Sequence, residues 1–108
     1  MLIEINKIIS IGPICFSSQW IKDNNYKRES YPFDWIVSSL DMCLHCINDD
    51  FNLFLEKKHH YQIKTRRPVR SGHLIYDKFV NTNIFRHHNI INKHEYYCRC
   101  VDRFIKLY

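Results

Sequence analysis

A chain of 108 residues makes one small domain or part of one. With 45% hydrophobic and 15% aromatic residues but only two glycines and three prolines, it is neither disordered nor fibrous. The net charge of +5 leaves an acidic surface or nucleic acid conceivable as a partner, while no apolar run nears the ~20 residues of a membrane helix.

The positive excess is dispersed apart from Lys64, Arg66, Arg67 and Arg70. That cluster reads first as a solvated loop and second as a phosphate-facing surface, so nucleic acid is not the expected partner. Five cysteines are an odd number. Residues Met1 to Ile11 carry Glu4 and Lys7 within their apolar run, unlike a secretory signal. The thiols are therefore expected to be reduced, in a cytoplasmic or other reducing intracellular compartment.

In chain order, Leu2 to Ile11 is rich in isoleucine and reads as a buried strand closed by Gly12-Pro13. Phe16 to Asp23 reads as a short helix with Cys15 at its N-terminal end, broken by Asn24-Asn25. Arg28 to Pro32 is a loop. A second helix follows, capped by Ser38 or Ser39, with Asp41 suiting its dipole. Leu40, Cys43, Leu44, Ile47, Phe51, Phe54 and Leu55 form its apolar face, and Lys57-Lys58 close it. Between His59 and Asn89 the pattern alternates, so Leu74-Ile75-Tyr76 and Phe79 to Phe85 are expected to hold short strands. Arg66 to Gly72 is expected to be a loop. A last helix runs from about Lys93, with Tyr96, Tyr97, Cys100, Val101, Phe104, Ile105 and Tyr108 as its stripe. The expected order is β-α-α-β-β-α, a small layered α/β or α+β domain with few strands, spanning 1–108 as a single unit.

Three segments carry a family likeness. Ser10-Ile11-Gly12-Pro13-Ile14-Cys15 is a strand end of the form S-x-G-x-x-C. Ser30-Tyr31-Pro32-Phe33-Asp34-Trp35 is an S-x-P-F-D-W block, continued by Asp50-Phe51 and Phe54-Leu55 as D-F-x-x-F-L. Phe85-Arg86-His87-His88-Asn89 is an F-x-H segment, and Arg99, Asp102, Arg103 and Phe104 end a helix in R-x-x-R-F. In order and spacing, from about Ile8 to Phe104, the chain resembles a family described as putative papain-like cysteine peptidases. The resemblance implies a thiol nucleophile at Cys15 and a histidine base at His87 or His88, acting on a peptide or other acyl substrate.

Elementary chemistry is compatible with that implication. A free thiol has a pKa near 8.5, and a helix N-terminus or an imidazolium stabilises its anion. Cys15 precedes an expected helix; otherwise it is a small buried hydrophobe. Asp34, a carboxylate between Phe33 and Trp35, is the candidate to orient the imidazole. It could instead cap the next helix or pair with Arg99 or Arg103. Both aromatics of the block are expected in the core. Cys43-Leu44-His45-Cys46 and Cys98-Arg99-Cys100 are weak zinc patterns, because both lie in expected helices without a knuckle. Neither a metal nor an organic cofactor is expected, and none is required for thiol hydrolysis.

The chain departs from the family pattern in two places. Histidine is followed by His88 and Asn89 where the family often has aspartate, and the chain ends four residues after Phe104, where members usually continue. A C-terminally shortened member is therefore expected, marginal alone, with an incompletely covered last helix that favours self-association. The alternative to an enzyme is an inactive remnant or interaction module whose working face is the basic Lys64–Arg70 surface.

Overall fold

A computed structural model describes residues 9–11, 16–25, 29–63 and 70–107. Its elements are α1 (Phe16–Asp23), α2 (Leu40–Asn48), α3 (Asn52–Leu55), a 3-10 turn (Lys57–His59), β1 (His60–Gln62), β2 (Ser71–His73), α4 (Asp77–Val80) and α5 (His94–Ile105). The two strands pair antiparallel, with His60 opposite His73, Tyr61 opposite Gly72 and Gln62 opposite Ser71. The domain is thus α+β. The first expected strand and Tyr108 fall largely or wholly outside the described residues, as do Lys64, Arg66 and Arg67 of the basic cluster. No helix among the described residues is long and apolar enough to cross a membrane.

The start of α2 follows from its cap. Ser39 Oγ accepts the Met42 N–H at 3.2 Å, and Asp41 sits in the first turn. The expected single helix to Leu55 is two. Asp50 and Phe51 both take left-handed backbone, and the Phe51 N–H reaches back to the Cys46 carbonyl at 2.8 Å. Asp49 then starts α3 by accepting the Leu53 N–H at 2.7 Å. This break swings Phe51 and Phe54 into the core, where both are fully buried.

The buried face of α2 is also rotated from the expected one. Met42, Cys43 and Cys46 point inward, while Leu40 is 67% exposed. Burial pushes the Cys46 thiol up to about 12. Among the described residues no cluster of three or more His, Cys, Asp or Glu side chains could hold a metal ion.

The strands lie earlier than alternation predicts. Leu74 to Tyr76 is a turn and Asp77–Val80 a helix, not strands. The cause is His73, whose Nδ1 accepts the Ile75 and Tyr76 N–H groups at 3.2 and 3.1 Å. Those donors are withdrawn from any ladder. Asp77 does the same downstream, accepting the Ile84 N–H at 2.9 Å and the Tyr61 hydroxyl at 2.6 Å. Only Phe85 of the second expected strand joins the sheet, bridging to Ser71. Tyr61 lies flat across Gly72, where any Cβ would collide with its ring.

The core is aromatic. Phe33, Phe51 and Phe104 form a triangle with centroids 5.4–5.9 Å apart. Phe54, Phe85 and Tyr97 form a second, at 5.2–5.9 Å, joined to the first through Phe51–Phe54. The α5 stripe is therefore covered: Tyr97, Val101 and Phe104 are all buried, contrary to the uncovered face expected from the sequence.

Candidate functional site

The S-x-P-F-D-W block is a closed turn. The Asp34 N–H donates to the Tyr31 carbonyl at 3.2 Å, and Asp34 Oδ2 accepts the Tyr31 N–H at 3.0 Å. Pro32 suits the second position of such a turn because its φ is preset. The carboxylate, only 2% exposed, is thereby held on the block's own backbone. It caps this turn, not the following helix, whose cap is Ser39. Arg103, one of its expected ion partners, instead donates to the Ser30 carbonyl at 3.1 Å and ties α5 to the block.

The turn sends its two aromatics in different directions. Phe33 goes into the core and is fully buried, whereas Trp35 is only half-buried, short of the burial expected of it. Trp35 is a meeting point. The Lys22 ammonium of α1 lies 6.0 Å from its ring centre, and the His87 ring meets it edge-on at 5.9 Å. A backbone bond ties the two segments, the Val37 N–H on the Ile84 carbonyl at 3.0 Å, and the second is also held to β2, the Phe85 carbonyl accepting the Ser71 N–H at 3.1 Å.

The two candidate histidines face different surroundings. His87 is exposed beside Trp35. His88 is half-buried against Tyr96 and Tyr97, at 5.1 and 6.3 Å. Burial, then Lys93 and His87, lowers the His88 pKa, so its ring stays neutral at neutral pH. Asn89 serves the backbone: its Oδ1 accepts the Ile91 N–H at 2.9 Å and its carbonyl accepts the Lys93 N–H at 2.9 Å. Cys15 lies outside the described residues; in the chain it directly precedes Phe16, the first residue of α1.

The other five histidines have structural work. Helix α3 is too short to satisfy its own carbonyls. His73, His60 and His94 each bring Nε2 to one of them, Leu53 at 2.9 Å, Phe54 at 2.8 Å and Leu55 at 2.7 Å. His45 Nδ1 bonds the Tyr76 hydroxyl at 2.7 Å, and His59 Nε2 lies 3.4 Å from Glu56. Sequence reasoning did not find this triple cap, since nothing local links residues 60, 73 and 94 to one helix end. It also missed a thiol–imidazole contact on α5, Cys98 Sγ to His94 Nδ1 at 3.5 Å, although the i, i+4 spacing signals it.

A family model described as "Putative papain-like cysteine peptidase" matches residues 6–107. No curated protein and no solved structure matches the chain.

Proposed function

We propose, from the premise that the chain belongs to the family of putative papain-like cysteine peptidases, that it is a thiol hydrolase of amide or related acyl bonds with Cys15 as nucleophile. The observation that carries the reading is the convergence at Trp35. The last turn of helix α1, the S-x-P-F-D-W turn and the F-x-H segment meet there through Lys22, Trp35 and His87, and Cys15 precedes the other end of the same eight-residue helix. His87 is the favoured base, because it meets Trp35, the ring that Lys22 of α1 also approaches, whereas His88 packs on the α5 tyrosines.

In this mechanism His87 takes the Cys15 proton and the thiolate attacks the acyl carbon. Backbone N–H groups at the start of α1 hold the oxyanion. The leaving group takes the proton back from His87, and water then releases the acyl group from sulfur. Asp34 is a positioning residue: its carboxylate locks the turn that presents Trp35 to His87.

The test is turnover by the purified chain on general peptide and ester substrates. Cys15→Ala should abolish it, and His87→Gln should lower kcat by about 10³-fold or more. Turnover that survives Cys15→Ala would overturn the assignment. A folded chain without turnover would favour the inactive interaction module.

A further inference from the structure

We propose that Cys98 and His94 form a second reactive pair, a thiol–disulfide exchange site on α5 that favours small anionic disulfides. The inference is independent of the Cys15 reading.

The pair is built by helix geometry. Residues four apart share a face, and the Cys98 side chain leans back over the preceding turn, where Sγ lies 3.5 Å from His94 Nδ1. His94 is fixed from its other side, because Nε2 sits 2.7 Å from the Leu55 carbonyl. A carbonyl only accepts, so Nε2 carries the proton and Nδ1 presents its lone pair to the thiol. After proton transfer both ring nitrogens are donors, and each still has an acceptor, the thiolate and Leu55. The ion pair therefore leaves no donor orphaned. Cys98 is half-buried, unlike the buried Cys43 and Cys46, and so is within reach of a reagent.

The surroundings select the partner's charge. Cys98 is not on a cavity wall itself, but its partner His94 lines one of about 390 Å³ together with Lys57, Lys93 and Arg99, with Glu95 as the one carboxylate. Three cations against one anion on the histidine side of the pair favour the approach of a negatively charged reagent.

The exchange balances without another reactant. His94 Nδ1 takes the proton from Cys98, and the thiolate attacks one sulfur of the disulfide. A sulfur–sulfur bond to Cys98 forms as the original one breaks. The departing half leaves as a thiolate and takes the proton from His94. Cys98 is oxidised and the expelled half reduced.

The experiment follows labelling of each cysteine by peptide mapping, using the dianionic Ellman disulfide and a neutral dipyridyl disulfide. Wild-type Cys98 should react with the dianion about fivefold faster near pH 6 than an ordinary thiol such as that of a free cysteine peptide. His94→Gln should return Cys98 to the ordinary rise of about tenfold per pH unit. Glutamine can still donate to Leu55, so loss of the cap and loss of the base are separated. Because His94→Gln could still weaken the fold, the rate of Cys98 in the wild-type chain is also compared before and after unfolding in urea, which removes the His94 contact without a substitution. An ordinary pH–rate profile for wild-type Cys98, a rate no higher in the folded chain than in urea, or no preference for the dianion would overturn the proposal. Labelling confined to Cys15 would overturn it while leaving the hydrolase reading intact.

Discussion

His73 shows how a single side chain can set both local conformation and pH response. Its Nδ1 accepts two backbone N–H groups and its Nε2 donates to Leu53, so the buried ring is held neutral. Burial first, opposed by the Leu53 bond, brings its pKa down to about 4. The unfolded chain, with an ordinary histidine pKa of about 6.5, binds the proton more readily. Stability from this group is therefore complete above about 6.5 and is lost as pH falls towards 4, by about 3 kcal/mol in all at 1.36 kcal/mol per pH unit. His60 and His88, whose pKa values are also lowered, act in the same direction. Urea melts should show a falling midpoint between about pH 6.5 and 5, before most carboxylates titrate. A level midpoint across that interval would contradict the neutral, buried His73.

Among the elements, the α2–α3 break is the most informative. A left-handed backbone costs an L-residue roughly 1–2 kcal/mol, and Asp50 and Phe51 occupy it consecutively. Phe51 is fully buried among Phe33, Phe54 and Phe104, so its packing offsets the strain. Asp50 is exposed and has no such compensation. Asp50→Gly should stabilise the fold by about 0.5–1 kcal/mol, the relief of strain less the entropy glycine loses. Chemical melts would measure it, and a loss of stability would show that the Asp50 side chain holds the break.

The break also shows why legibility was uneven. Helices α1 and α5 follow from local spacing, and Ser39 from cap chemistry, because the determinants lie within one turn. The break does not, since its cause is distant packing around Phe51. Strand β1 is concealed by its polar residues His60, Tyr61 and Gln62, while Leu74 to Tyr76 looks like a strand until His73 takes its N–H groups. Of the candidate site, Asp34 and the histidines were legible as residues. Their partners were not, because Trp35 meets His87 only through the fold.

In the whole molecule the family motifs divide into two classes. Phe33, Phe51, Phe54, Phe85 and Phe104, one or more from each of the P-F-D-W, D-F-x-x-F-L, F-x-H and R-x-x-R-F segments, are a single aromatic core. These positions hold the core of the fold. Of the polar positions beside them, His87 carries the proposed chemistry, Asp34 locks the turn that presents Trp35 to it, and His88 packs on the α5 tyrosines. Five of seven histidines are absorbed by α3 carbonyls, Tyr76 or Glu56, and the remaining two are those in the F-x-H segment.

The proposed activation of Cys15 by His87 can be measured as the pH dependence of Cys15 alkylation in the intact chain. Iodoacetamide labelling would be followed by peptide mapping so that Cys98 is scored separately. Cys15 should already label readily near pH 6 and vary little up to about pH 8, and His87→Gln should restore a rise of about tenfold per pH unit. His88→Gln should leave the profile in place. A wild-type Cys15 that rises like an ordinary thiol, or a profile unchanged by His87→Gln, would contradict it.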